Sequence, residues 1–193
     1  GSEFLVNTQV LNGQFDPAVT SLSNGGFVIS WTDNSGIGGD SDNFGIKAQV
    51  YDASGARVGS EILVNNLTTD AQFESQLFAL ESGFIATWMD ADDNVYARMF
   101  SAAGVASGGQ FQLNGTTAIS QYPDVVGLPG GGFVAVWQDA DIKARIYDSS
   151  GTAIGSEFTV NVATGGAQSL PSVIATEEYF LVTWQDSSGT LGD

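Results

Sequence analysis

Phe27-Val-Ile-Ser-Trp31-Thr-Asp33 returns three times along the chain, as Phe84-Ile-Ala-Thr-Trp88-Met-Asp90, Phe133-Val-Ala-Val-Trp137-Gln-Asp139 and Phe180-Leu-Val-Thr-Trp184-Gln-Asp186. These segments hold all 4 tryptophans of the 193 residues. The steps from one tryptophan to the next are 57, 49 and 47 residues, and the longest step contains the Gly-rich stretch 35–43. A unit of ~48 residues is in the range of propeller blades.

Three more strand-like runs recur in fixed order around each Trp segment, bounded by Gly, Asp, Asn or Ser turn chemistry. One precedes it, at 17–22, 75–80, 123–128 and 171–175. One follows at 46–51, 95–100 and 142–147, running into Asp52-Ala-Ser-Gly55 or Asp148-Ser-Ser-Gly151 in the first and third units. In those turns Asp can cap and Gly can take positive φ. The last run is 61–65, 110–114 and 157–161. No stretch keeps a 3.6-residue apolar period, so helix is not expected.

The final unit stops soon after Asp186, without its third and fourth strands, while Gly1-Ser-Glu-Phe-Leu-Val-Asn7 repeats the fourth-strand pattern of Gly155-Ser-Glu-Phe-Thr-Val-Asn161. The sequence therefore predicts one all-β repeat domain over 1–193, a propeller-like ring of about four four-stranded repeats. Its units are approximately 14–66, 67–115, 116–162 and 163–193 plus 1–7, with the last blade incomplete or closed by the N-terminal strand. A β-trefoil is the alternative, disfavoured because it needs three units.

Composition narrows the chemistry. With 22 acidic and 5 basic residues the formal charge is −17, and there is no Cys and no His. Such a field repels phosphate backbones and anionic lipid headgroups, so nucleic acid and membrane surfaces are poor partners. Zinc sites of the usual kind, disulfides and Ser-His-Asp triads are excluded. Oxygen-ligated metals and carboxylate chemistry remain. No apolar run approaches the ~20 residues of a membrane span.

Strand alternation puts Phe27, Ile29, Trp31 and Asp33 on one face. The four tryptophans fit either an inter-blade core or a platform for stacking a ligand. Trp31, Asp33, Trp88, Asp90, Trp137, Asp139, Trp184 and Asp186 are thus candidate ligand-binding residues, since sugar rings stack on aromatics while carboxylates accept from hydroxyls. Of the 22 acids, ten stand in the Trp-x-Asp segments and the loops after them, which concentrates charge at one strand end of every unit. Asp33, Asp40 and Asp42 in the first such loop, and Asp90, Asp92 and Asp93 in the second, have the alternating oxygens that Ca²⁺ takes. Solvated hairpin turns are the competing reading.

The consensus Gly-Gly-Phe-Val-x-x-Trp-x-Asp, Ile-x-Ala-x-x-Tyr-Asp-x-x-Gly, Gly-Ser-Glu-Phe-x-Val-Asn resembles tandem repeats of large, acidic, secreted bacterial proteins of the RTX and adhesin type. The resemblance implies calcium binding, adhesion, and an extracellular or bacterial cell-surface location. On this footing the sequence points to a non-enzymatic binding or adhesion module of a larger secreted protein, calcium-stabilised and directed at carbohydrate or another cell-surface ligand. One alternative is a carboxylate-dependent glycoside hydrolase, against which the fourfold equivalence of the strand-end Asp residues counts, because catalysis needs carboxylates in different environments. Another is a structural or assembly repeat that forms homo-oligomers through the incomplete blade.

Overall fold

The computed structural model describes residues 1–115 and 119–189. The first blade is β1 (Gln14–Ser21), β2 (Phe27–Asp33), β3 (Gly45–Tyr51) and β4 (Arg57–Leu63). The second is β5 (Gln72–Leu80), β6 (Gly83–Asp90), β7 (Val95–Ser101) and β8 (Phe111–Gln112), and the third β9 (Gln121–Gly127), β10 (Phe133–Gln138), β11 (Ile142–Tyr147) and β12 (Ala153–Thr159). Each is an antiparallel sheet in chain order, followed by a two-stranded sheet of β13 (Gln168–Ala175) and β14 (Phe180–Asp186). The first strands pack side by side, β1 on β5, β5 on β9 and β9 on β13, and so form the inner wall. The fold is the expected all-β propeller, with its last blade incomplete among the described residues. No helix among them is long and apolar enough to cross a membrane.

Alternation makes each middle sheet two-faced. Phe84, Ala86 and Trp88 of β6 pack against Leu22, Val28, Val50 and Val64 of the first blade. Ile85 and Met89, on the opposite face, pack with Phe133, Ala135 and Trp137 of β10. Val134 and Val136 then turn to Val173 of β13, with Val182 of β14 at the margin. Three cores result, each between neighbouring sheets, which is why the Trp strand is apolar on both faces.

The repeated Asn after each fourth strand has one task in common. Asn65, Asn114 and Asn161 accept, through Oδ1, an N–H at the start of the third strand, from Ile46 (2.8 Å), Val95 (3.2 Å) and Ile142 (2.8 Å). The fourth strands begin earlier than their sequence pattern, at Arg57 and Ala153, and pass through a register shift near Gly59 (φ +67°) and Gly155 (φ +79°). Those are β-bulge glycines, and they account for the Gly in the Gly-Ser-Glu motif.

The N-terminal segment does not complete the last sheet. Phe4 packs edge-on to Tyr51, Arg57 donates to the carbonyls of Leu5 (3.1 Å) and Val6 (2.7 Å), and the Thr8 N–H donates to Glu61. Residues 4–8 lie on the first blade, where Val6 and Asn7 help cover the face that bears Ile29 and Trp31. The grouping of 1–7 with the final unit is corrected accordingly: among the described residues the last sheet holds β13 and β14, and the N-terminal segment bonds to the first blade instead.

Candidate active site

Every inner strand carries the same irregularity near its start. The pairing register slips between Phe15 and Ala18 on β1, Phe73 and Gln76 on β5, and Ser169 and Ser172 on β13. On β9 it slips between Gln121 and Asp124. Two inner-strand residues therefore oppose one on the next strand, the geometry of a β-bulge. The one opposed residue is Trp31, Trp88, Trp184 or Trp137 respectively.

The first bulge residue has positive φ in all four sheets: Asp16 (+47°), Glu74 (+56°), Tyr122 (+51°) and Leu170 (+51°). None is glycine, and a left-handed L-residue costs ~1–2 kcal/mol. Two of the bulge amides are held by the preceding blade. The Tyr122 N–H points at Met89 Sδ (3.1 Å) and the Leu170 N–H donates to Gln138 Oε1 (3.2 Å). Met89 and Gln138 are the middle residues of their Trp-x-Asp motifs, so one motif opposes its own bulge with Trp and anchors the next through the residue after it.

These bulges border a cavity of about 390 Å³, lined by Glu74 and Gln76 of β5, Tyr122 and Asp124 of β9, and Leu170 and Ser172 of β13. Its two carboxyls differ in environment. Burial, reinforced by the charge of Asp16, holds Glu74 above its ordinary value of 4.5. Asp124 instead accepts hydrogen bonds at both oxygens, from the Val125 N–H (2.9 Å), the Ser172 hydroxyl (3.1 Å) and the Val173 N–H (2.9 Å). Glu74 is positioned from beneath, because its neighbour Ser75 shares a buried hydroxyl pair with Ser30 of β2 at 2.8 Å. In the other three blades that position is proline, namely Pro17, Pro123 and Pro171.

The residues singled out from the sequence surround this site without lining it. Trp31, Trp88 and Trp137 are 4, 0 and 0 % exposed, in or against the inter-blade cores. Trp184 is half-buried and its indole N–H donates to Gln168 (2.9 Å). Asp33, Asp90 and Asp186 pair with Gln14, Gln72 and Gln168 at the starts of the inner strands, hence at the same end as the bulges. Asp139 accepts from the Ala140 N–H (2.5 Å) just beyond β10.

In the loops, Asp33 accepts from Ser35 (2.8 Å), and Asp90 from the N–H groups of Asp92 (3.0 Å) and Asn94 (2.9 Å). Asp40 is buried, which raises its pKa, and accepts from Asn65 (2.8 Å) and the Asp42 N–H (3.1 Å). Asp93 accepts from Gln121 (2.8 Å). Among the described residues no three His, Cys, Asp or Glu side chains are grouped to share a metal ion.

A larger cavity of about 730 Å³ opens at the other ends of the inner strands, between the turns that follow β5, β9 and β13. Its carboxylates, Glu81 and Glu177, are exposed on turns, where water screens them from each other. The smaller cavity, with one carboxyl shielded and one saturated by donors, is the better chemical site.

Asp16, Glu74 and Asp124 were not among the sequence candidates. The sequence pattern starts the first strands at residues 17, 75, 123 and 171, one position after the bulge residue. The available signal was the position just ahead, which reads Asp, Glu, Tyr and Leu in four otherwise similar units.

No family model and no curated protein matches the chain. Among solved structures it is similar to an endo-arabinase from Bacteroides thetaiotaomicron, at TM-score 0.57 and 13% identity over 94% of this chain and 74% of that one. It is also similar to an exo-beta-1,3-galactanase from Phanerochaete chrysosporium in a structure with galactose (TM-score 0.55, 9% identity, 96% of this chain, 48% of that one). A native arabinanase from Bacillus subtilis follows (TM-score 0.53, 10% identity, 92% and 66%). The chain thus spans between about half and three quarters of these enzymes, and at such identities the likeness is one of fold. It nevertheless overturns the expectation of a non-enzymatic adhesion module, because these matches are arabinanases and a galactanase. The objection to a hydrolase falls for a physical reason as well: the acids that line the cavity are those in which the repeats differ.

Proposed function

We propose that the chain carries the carboxylate site of a glycoside hydrolase. The observation that supports this most is Glu74, a shielded carboxyl on a strained bulge, sharing a cavity with the donor-saturated Asp124. Separate environments for two acids are what acid and base roles require at one pH. Glu74, whose hold on its proton is tightened by burial and by the charge of Asp16, gives that proton to the glycosidic oxygen as the bond to the anomeric carbon breaks. Asp124 takes a proton from the water that adds to that carbon, and water is thereby divided across the bond. Asp16 is a positioning residue for Glu74's proton, acting through its charge. The arabinanase and galactanase neighbours make arabinan and β-1,3-galactan the first substrates to try.

Reducing-end release from both polysaccharides tests the reading. Wild-type protein is expected to cleave at least one, and Glu74→Gln to lower the rate by ~10²-fold or more at a melting temperature equal to or above that of wild type. Equal rates in the two proteins, or no cleavage of either polysaccharide by wild type, would overturn it.

A further inference from the structure

The four bulge positions share a backbone geometry and not a chemistry. In β1 and β5 they present Asp16 and Glu74, and in β9 and β13 Tyr122 and Leu170. Proline follows both apolar residues, and Pro123 and Pro171 line the same cavity. The cavity therefore has Glu74 on the second blade, and on the third and fourth a wall where the apolar Tyr122, Pro123, Leu170 and Pro171 flank Asp124 and Ser172. Tyr122 is 38% and Leu170 46% exposed, so both apolar groups are held open to solvent at a backbone cost that a glycine would avoid. Nothing in the cores requires them, since neither belongs to an inter-blade cluster. Among the described residues no Lys or Arg lines the cavity.

We infer that Tyr122 and Leu170 form a platform for one sugar ring of a neutral saccharide, and that this wall sets the site's specificity. The inference rests on the glycoside-hydrolase reading, with Glu74 facing the linkage of the ring so held. An apolar ring face lies on an aromatic or aliphatic surface with its hydroxyls directed to the rim. A carboxylated sugar would bring a further negative charge to Asp124 with no cation among the described lining residues to meet it, and is rejected.

The positive φ supplies an unusual control. Replacing Tyr122 with glycine removes the ring while relieving the backbone, so a purely structural residue would yield a protein at least as stable and unchanged in binding. Binding is measured by calorimetry on the Glu74→Gln chain, with α-1,5-arabinotriose, β-1,3-galactotriose and trigalacturonate as probes. At least one neutral trisaccharide is expected to bind, and trigalacturonate ~10-fold or more weakly. Tyr122→Gly should weaken the neutral ligand by ~10-fold, the equivalent of about 1.4 kcal/mol, with melting temperature held or raised. Tyr122→Phe, which keeps the ring, should stay within ~2-fold. Unchanged affinity in Tyr122→Gly, equal affinity for trigalacturonate, or no binding of either neutral probe would overturn the platform. Failure of the hydrolase reading looks different: trisaccharide binding that depends on Tyr122, with no cleavage by wild type.

Discussion

Trp88 on β6 stands alone opposite the two bulge residues Glu74 and Ser75 of β5. The ring that anchors the core between the first and second blades thus also sets the backbone that presents the shielded carboxyl. Trp88→Ala is expected to cost ~3–5 kcal/mol by urea unfolding. Trp88→Phe should cost much less, because the indole N–H it removes is buried without an acceptor. If the bulge depends on this ring, both variants should also lower turnover more than they change KM.

Ser30 and Ser75 make the next test. Their buried hydroxyls satisfy one another, and replacing either by Ala leaves the other stranded at ~1–3 kcal/mol. The double replacement removes both polar groups and should cost less than the two single ones summed. A urea-melt double-mutant cycle measures this, and strict additivity would refute the pairing.

Acid titration should show two opposed contributions. Glu74, raised from 4.5 by burial and by Asp16, binds its proton more tightly folded than unfolded. Its contribution to stability is therefore full below the ordinary Glu range and is lost as pH rises through the elevated folded value. Glu74→Gln escapes that loss, so its advantage over wild type should grow from pH 4 to pH 7. Asp52, Asp148 and Asp186 run the other way, held low chiefly by Ser54, Ser150 and Ser188 respectively. Their contribution is present above the ordinary value of 3.8 and is lost as pH falls through their folded values. Hydrolysis should decline on the alkaline side as Glu74 gives up its proton, and melting curves and rate profiles across pH check both.

Asn161 offers a charge-sensitive probe of the blade frame. Its Oδ1 caps Ile142 while its Nδ2 donates to Asp141 (2.8 Å). Asn161→Ala strands the buried Ile142 N–H, at ~1–3 kcal/mol. Asn161→Asp keeps the acceptor but sets a carboxylate against Asp141. It should be destabilised more at pH 7 than at pH 4, by thermal melts at both, whereas Asn161→Ala should show no such difference.

The repeat made the architecture legible. Phe27, Trp31 and their counterparts recur at blade spacing, and apolar residues on both strand faces required a sheet covered on both sides. Asn65 and Asn161 were visible as recurring letters, although their service to the third strand needed the pairing to be seen. Asp16, Glu74 and Asp124 escaped for a different reason. What recurs in a repeat reports packing, while chemistry is placed where the copies diverge, at a bulge that the absence of glycine concealed. The strand-end Asp residues lie at the same end of the sheets as the bulges, since Gln14 and Asp33 share one level of the sheet with the bulge just beyond.

Because each core lies between neighbouring sheets, stability passes along the arc as a line of coupled units and not as one indivisible transition. The second and third blades have two couplings each, whereas the β13–β14 pair has one. Amide exchange should therefore lose protection first at the two-stranded end, with the second blade among the last to open. Leu170 belongs to the end that lets go early and Glu74 to a blade that holds. The fourth-blade side of the cavity can thus loosen on a faster clock than its second-blade side, with Tyr122 between them on a blade that has two couplings.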